Sequence, residues 1–351
     1  MATTNNNTTT IIPIEGKIVS ETTLGIDDPE IIEAEVIEPE EWEGDNHPNF
    51  IESNTSAITL DELTNNNIIP TFCDNTLTLS HQAFIASVSR VAEQVFGELT
   101  PIECRVSHPI IGRIPSAQHK KANELLDHEK TVFYQRLAWC CHVKNLSRSI
   151  NGQTVHLCIG GVRAYSEDKL YNRQSPMKFH IFVGWKIRVC SNLMLTCDGN
   201  SGTIECLTEA DIMQKSLELF TSFNPHKEDT LRLLENLHNT PLSESQFCNI
   251  IGRLRLLQNL PTTEQKLHPS VTIGDQAVNA MVKNYVSDPN FGKKPGEEYT
   301  CWNLMQNANE AIKQAYIDRW LDRNQNCTDF AIGIQKALTG NDTEGYSWFL
   351  E

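Results

Sequence analysis

The sequence lacks the motifs of the well-defined catalytic families. It has no GxxxxGK[ST] phosphate loop, no HExxH, no GxSxG, no protein-kinase motif set and no Pro-Cys-x-x-Cys of a zinc deaminase. It also lacks any apolar run near the roughly 18 residues of a membrane helix. Its first residues, MATTNNNTTTIIPIEGK, have no basic start followed by a long apolar stretch. We therefore expect a cytoplasmic protein with no membrane segment and no cofactor, and a non-enzymatic role.

Paired cysteine spacing is missing as well. The chain has 11 cysteines, an odd number, and none of them forms a CxxC pair. Several lie inside apolar runs such as Trp139-Cys140-Cys141, where a free cysteine behaves as a small apolar residue. The pattern predicts reduced, mostly buried thiols in a reducing compartment.

One arrangement of cysteines and histidines is compatible with a metal site. Cys140 and His142 lie on the same face of their strand, and so do His156 and Cys158 on theirs. A hairpin can place two such pairs together, and zinc takes four ligands of this kind. However, the register depends on the loop length, and a shift of one residue turns a side chain to the other face. The sequence favours core cysteines and sheet histidines over zinc.

Basic residues are scarce at both ends of the chain and concentrated in its middle. Residues 1–66 carry fifteen Asp and Glu against one Lys, whereas residues 101–200 carry fourteen Lys and Arg against seven Asp and Glu. Residues 201–351 are again acidic, and the whole chain has a net charge of −16. This charge distribution bears on which binding partners the protein attracts, and it does not predict the fold.

The acidic N-terminal segment, residues 1–66, is predicted to be a disordered tail. It is rich in Asn, Thr and Glu and has few large apolar residues with which to form a core. One interpretation is a solubilising tail that binds no partner. The alternative is a docking peptide for a host or element-encoded protein partner.

Residues 67–207 are predicted to form an antiparallel sheet domain with a flanking helix, for which Ser80 is the expected N-cap. From Met177 to Val189 every odd position is apolar, so the pattern predicts a long strand with an apolar face and a basic face. Further strands are predicted over Thr131–Val143 and Thr154–Tyr165, with Gly160-Gly161 as a bend and Asn151-Gly152 as a hairpin signal.

Residues 208–351 show a helical period and are predicted to form a helical subdomain. Thr208 with Asp211 and Ser243 with Gln246 resemble capping boxes, and a further helix is predicted over Thr300–Leu321. The final residues, GYSWFLE, are expected to be a short tail. The order of the predicted elements, with strands first and helices afterwards, favours an α+β fold. We expect a central antiparallel sheet whose apolar face is covered by the helical subdomain.

The basic strand face is the candidate functional surface. Its candidate nucleic-acid-binding residues are Lys178, His180, Lys186, Arg188, Arg136, Arg163, Arg173 and Tyr165. Basic side chains contact phosphates and aromatic rings stack on unpaired bases, so single-stranded nucleic acid is the expected ligand. Two alternatives stay open. The face can be a solvated outer surface of the sheet, or the acidic C-terminal half can pack on it and neutralise it.

Two segments carry a resemblance to a known family. FHIFVGWKIRVCSNLMLTCDG and YTCWNLMQNANEAIKQAYIDRWLDR resemble an uncharacterised bacterial family of plasmids and conjugative elements, which is similar to the broad phage/plasmid-like group. The resemblance covers roughly residues 75–340, about the size of a folded domain. It implies a mobile-element context and an accessory role. A protein-interaction or anti-defence factor acting through acidic surfaces is the alternative function, and a cryptic enzyme is a third.

Overall fold

The computed structural model describes residues 49–66, 79–150, 153–165, 176–187, 190–225 and 228–351. Residues 1–48, which include most of the predicted acidic tail, lie outside the described residues.

The strands of the described residues form one large antiparallel sheet and one two-stranded ribbon. The strands are β1 (Thr55–Ile58), β2 (Glu103–Ser107), β3 (Ile110–Arg113), β4 (Lys130–Tyr134), β5 (Arg136–Ile150), β6 (Gln153–Ala164), β7 (Met177–Ile187), β8 (Leu193–Met194) and β9 (Asn200–Cys206). The large sheet has the order β1-β2-β5-β6-β7-β8, and β9 also pairs with β7. The ribbon is formed by β3 and β4.

Two of the described α-helices lie between β1 and β2, and the others follow β9 and make up most of the chain there. They are α1 (Leu60–Asn66), α2 (His81–Phe96), α3 (Glu209–Ser222), α4 (Glu228–His238), α5 (Glu244–Asn259), α6 (Thr262–Gln265), α7 (Asp275–Ser287), α8 (Cys301–Ile312) and α9 (Ile317–Leu338). This arrangement confirms the predicted α+β fold with a helical C-terminal region. None of the described helices has the length and apolar character needed to cross a membrane.

Local sequence signals located the helix starts correctly. The side chain of Ser80 accepts a hydrogen bond from the Ala83 amide at the start of α2. The predicted capping boxes at Thr208 and Ser243 are both present and begin α3 and α5. These caps work because an N-cap side chain satisfies backbone amides that have no partner inside the helix.

The predicted boundary of the N-terminal tail is wrong for residues 49–66. Phe50, Ile51 and Leu63 are buried in the core, and β1 pairs with β2 at the edge of the sheet. Three large apolar side chains are enough to attach this short segment because the core that receives them is built by the rest of the chain.

The two faces of the sheet are covered differently from the prediction. Phe84 of α2 packs on the apolar face, with its ring centroid 4.8 Å from that of Phe179 and 6.0 Å from that of Trp139. Trp320 of α9 packs on the opposite, basic face, 6.0 Å from the ring of Phe182. The C-terminal helices therefore cover the basic face, and the apolar face is covered by α2.

The predicted helix over Thr300–Leu321 is two helices, α8 and α9, joined at Lys313–Tyr316. No Gly or Pro marks this break. The carbonyl oxygen of Lys313 instead accepts the amides of Glu52 at 2.9 Å and Ser53 at 3.1 Å. Tertiary hydrogen bonds from the N-terminal segment thus replace the helical ones at this position.

The C-terminal residues are docked on α9 and do not form a free tail. A 3₁₀ helix over Tyr346–Phe349 packs there, and the ring of Phe349 lies 5.1 Å from that of Phe330. The carboxylate of Asp342 holds this segment by accepting the amides of Gly345 at 2.9 Å and Ser347 at 2.7 Å, together with the Ser347 hydroxyl. Burial alone would raise the pKa of Asp342, but these hydrogen bonds outweigh it and hold the pKa well below its usual range.

We expect Asp342→Ala to lower the free energy of unfolding by about 2 kcal/mol at pH 7, the scale of hydrogen bonds to a charged group. Because the folded pKa is depressed, the carboxylate stabilises fully above the unfolded pKa of about 4 and loses this effect as the pH falls further. Urea unfolding of both proteins at pH 7, 5 and 3.5 should show a difference that shrinks only at pH 3.5. Asp322→Ala, at an exposed position of α9, is the control. A difference independent of pH would contradict the assignment.

Candidate functional site

Four of the predicted nucleic-acid-binding residues are buried in the structure. Arg163 is 0% exposed, Lys186 3% and His180 8%, and Tyr165 is also buried. The prediction that these side chains form an open basic face is therefore wrong, because α9 and the N-terminal segment cover one face of the sheet and α2 the other. Lys178 is half-buried. Arg173 and Arg188 lie outside the described residues.

Lys186 is neutralised inside the fold. Its Nζ lies 3.3 Å from Glu103 Oε2 and 3.6 Å from Cys140 Sγ, and it sits 5.4 Å from the centre of the Phe50 ring. Burial raises the pKa of Cys140, so this thiol stays protonated at neutral pH and the Glu103 carboxylate balances the ammonium. The aliphatic chain of Lys186 therefore packs in the core, and its ammonium is paired inside the protein.

Arg163 lies on the apolar face of the sheet, where its long side chain packs among aromatic rings. Its guanidinium lies 4.6 Å from the ring centres of Tyr165 and Phe179 and donates to the carbonyl oxygen of Leu79. Tyr165 is stacked on His81 at 4.1 Å. These contacts connect the start of α2 to the sheet and explain why a charge is tolerated there.

The cysteine and histidine pairs lie on one face of the β5–β6 hairpin. His142 is directly opposite Cys158, Cys140 is opposite Gly160, and the His142 and His156 rings are 5.9 Å apart. The register skips between His142 and Ser147, where a bulge alters the pairing. No three His, Cys, Asp or Glu side chains in the described part of the chain are arranged to hold a metal. The ammonium of Lys186 lies beside Cys140 in this cluster.

Arg136 is the predicted residue that the structure places in a pocket. The pocket has a volume of about 610 Å³ and lies where the start of β5, the N-terminal segment, α7 and the α8–α9 connection meet. Its lining residues are Ser53, Asn54, Arg136, Gln276, Gln314, Ala315, Tyr316, Asp318, Arg319 and Arg323. We call it the arginine pocket. Its volume is in the range of pockets that bind small molecules or single nucleotides.

Three arginines and one aspartate set the charge of the arginine pocket. Arg136 Nε lies 3.2 Å from Asp318 Oδ1, and the Arg136 guanidinium is 5.5 Å from the centre of the Tyr316 ring. Arg319 is exposed and Arg323 is half-buried, and their spacing of four residues places them on one face of α9. Among the described carboxylates, none forms an ion pair with either of them. The pocket therefore has two positive charges in excess.

Neutral groups complete the arginine pocket. Asn54 and Gln276 supply amides that can both donate and accept hydrogen bonds, whereas the Gln314 amide donates to Glu52 Oε2 at 2.6 Å. The Tyr316 ring is 60% exposed, the most exposed large aromatic side chain among the described residues. Guanidinium groups, amides and an open ring together suit a ligand with an anionic group and a planar ring.

Sequence reasoning found only Arg136 of this pocket. The segment YIDRWLDR was noted for its resemblance and contains Tyr316, Asp318, Arg319 and Arg323. Its signal was the i, i+4 repeat of Asp-Arg, which on a helix places two arginines on one face. The amides from Asn54 and Gln276 come from distant segments, so no local pattern could have assigned them.

The chain belongs to the family described as "Domain of unknown function, B. Theta Gene description (DUF3871)", whose model matches residues 31–350. The match includes every element that lines the arginine pocket. Neither a curated protein nor a solved structure matches the chain.

Proposed function

We propose that this member of the DUF3871 family binds single-stranded nucleic acid in the arginine pocket. The observation that carries the proposal is the pairing of exposed Arg319 and half-buried Arg323 with the open ring of Tyr316 in one concave site. Guanidinium groups bind phosphates, and an open tyrosine ring provides a stacking platform for an unpaired base.

The arrangement favours an unpaired strand over a duplex. A base in a duplex is already stacked on both faces and cannot lie on the Tyr316 ring, whereas a base of a single strand can. The amide of Gln276 lies in the same pocket and can contact base edges. Arg136 is held by Asp318 at 3.2 Å and can turn toward a phosphate only at the cost of that ion pair.

The test is the affinity for a fluorescent 20-nucleotide single strand, measured by anisotropy between 50 and 200 mM salt. Arg319→Ala/Arg323→Ala should weaken binding at least tenfold at 50 mM salt. It should also reduce the slope of log K against log salt by about 1.4, since each single-strand phosphate contact contributes about 0.7. Arg90→Ala/Lys266→Ala, at two exposed positions outside the pocket, should leave both quantities unchanged.

Two further variants sharpen this test. Tyr316→Leu should weaken binding without changing the salt slope, because stacking involves no counterion release. Asp318→Asn should tighten binding, because it removes the negative charge that holds Arg136. Equal affinity of the double arginine variant and the native protein would overturn the proposal.

We also propose that the protein serves a mobile element as an accessory factor. Support comes from the resemblance of its Val-Cys-x-Asn-Leu and Trp-Asn segments to plasmid and phage-like proteins. Deleting the gene from an element should change the frequency of element transfer, and the double arginine variant should fail to restore it. Restoration by that variant, combined with a stable protein partner captured after nuclease treatment, would instead support a protein-interaction role.

A further inference from the structure

The start of α7 adds backbone donors to the arginine pocket. Gly274 is the N-cap of this helix, and glycine has no side chain that could satisfy the free backbone amides of the first turn. Gln276, in that first turn, lines the pocket. A Cβ built on Gly274 would lie 4.0 Å from Nη2 of Arg323. The uncapped start of α7 and the Arg323 guanidinium are therefore neighbours at one side of the pocket.

The charges around this helix start favour an anion. The N-terminus of a helix carries a partial positive charge, and anions bind there. Asp275, the acidic residue of the first turn, pairs with Arg255 at 3.6 Å and is not a lining residue of the pocket. Asp318 does line the pocket, but its carboxylate is used by Arg136 at 3.2 Å.

A buried hydroxyl lies in the same pocket. Ser53 lines it and is 7% exposed. The backbone amide of Ser53 donates to the Lys313 carbonyl oxygen at 3.1 Å, whereas its hydroxyl makes no hydrogen bond to any described residue. A hydroxyl can donate to a phosphate oxygen. Guanidinium groups, free backbone amides and a hydroxyl thus supply hydrogen-bond donors to one cavity.

This set of donors suits a phosphate with more charge than the phosphates inside a strand. An internal phosphodiester carries one negative charge. A phosphate monoester carries about −1.5 to −2 at pH 7 and has three acceptor oxygens. The arginine pocket has two positive charges in excess, and α7 adds its uncapped start to them. Its volume of about 610 Å³ is in the range for a single small ligand such as one nucleotide.

We propose that the arginine pocket recognises the end of a single strand by binding a terminal phosphate monoester between Arg319, Arg323 and the first turn of α7. This inference rests on the proposed function, because it identifies which part of the strand enters the pocket. The terminal base then stacks on the ring of Tyr316.

The test compares internally labelled 20-nucleotide strands of one sequence that differ only at their ends. They carry a 5′ phosphate, a 3′ phosphate or hydroxyls at both ends. One phosphorylated strand should bind at least about tenfold more tightly than the hydroxyl strand, because it gains hydrogen bonds to a charged group. That strand identifies the recognised end. A methyl ester on its terminal phosphate removes one negative charge and should remove most of the preference.

Gly274→Asp tests the same site by changing the protein. The backbone at Gly274 is extended, with a φ of −78°, and an added Cβ meets no atom closer than 4.0 Å, so aspartate fits there. Aspartate is a preferred N-cap residue, and its carboxylate would occupy the free amides of α7. The variant should fold stably and lose the preference for the phosphorylated strand. Thr263→Asp, at an exposed first-turn position of α6 outside the pocket, adds the same charge and should keep the preference.

The outcomes separate end recognition from the proposed function. Equal affinity for all strands, with weaker binding by Arg319→Ala/Arg323→Ala, would overturn end recognition and leave single-strand binding intact. A phosphate preference that survives in Gly274→Asp would also overturn the inference, because the terminal phosphate would then be bound elsewhere. Failure of every strand to bind would overturn both proposals.

Discussion

Gly161→Ala is expected to lower the free energy of unfolding by about 3 kcal/mol, the upper range for overpacking a well-packed core. A Cβ at Gly161 would lie 2.5 Å from Cζ of Phe84 and 2.9 Å from the carbonyl oxygen of His180. The missing side chain allows α2 to press an aromatic ring onto the backbone of β6. The neighbouring Gly160 does the same on the other face, where its Cβ would lie 2.5 Å from Cζ of Phe182.

The two glycines should differ in whether a second substitution rescues them. Phe84→Leu should restore part of the stability of Gly161→Ala, because the closest contact is with a side chain that can be shortened. The same approach should fail at Gly160, where a Cβ would also lie 2.2 Å from the carbonyl oxygen of Trp139. A double-mutant cycle measured by urea unfolding checks this, with an expected coupling of at least about 1 kcal/mol for the Gly161 pair.

Gly252→Ala is the matched control for both glycine substitutions. Gly252 lies in α5 with no atom within 4 Å of an added Cβ, so alanine should stabilise by up to about 1 kcal/mol through helix propensity. A similar loss of stability on substituting all three glycines would show that the close approach of aromatic rings does not explain the destabilisation.

Lys313→Met is expected to cost about 3 kcal/mol or more, the range for breaking a buried ion pair by removing one partner. Lys313 is 1% exposed, pairs with Glu310 at 2.7 Å and donates to the carbonyl oxygen of Cys190. Its loss leaves both acceptors without their partner at the junction of α8, α9 and the N-terminal segment. Chemical unfolding at pH 7 measures the effect.

A surface pair of the same geometry provides the control for Lys313. Lys215 and Glu218 are also three residues apart and also 2.7 Å from each other, but the Lys215 side chain is 45% exposed. Lys215→Met should therefore change the free energy of unfolding by less than about 1 kcal/mol. Adding Glu310→Gln to Lys313→Met should recover only the part due to the unpaired carboxylate, because the Cys190 carbonyl still lacks its donor. Equal effects of Lys313→Met and Lys215→Met would contradict the importance of burial.

Local sequence signals predicted the elements of this fold well. The strict alternation over residues 177–189 predicted β7, and the caps at Ser80, Thr208 and Ser243 predicted the starts of α2, α3 and α5. Both signals depend on residues within one turn or one strand, so no knowledge of distant contacts was needed.

The environment of the strand faces could not be predicted in the same way. An alternating strand with Lys and Arg on one side looks the same whether that side faces solvent or carries buried ion pairs. Lys186 is buried only because Glu103, 83 residues earlier, lies beside it, and Arg136 is paired because Asp318 reaches it from α9. The sequence alone predicts a bend at Gly160-Gly161. The rings that require glycine there belong to Phe84 and Phe182, which come from other elements, so no local pattern shows the close approach.

The sequence by itself determined the α+β class, the long amphipathic strand β7 and the helical character of the C-terminal half. The tertiary structure alone decided that α9 covers the basic face of the sheet and α2 the apolar face. It also decided that the arginine pocket forms where four separate segments meet. The physical reason is that periodicity and capping act over a few residues, whereas burial, ion pairing and pocket formation depend on groups tens to hundreds of residues apart.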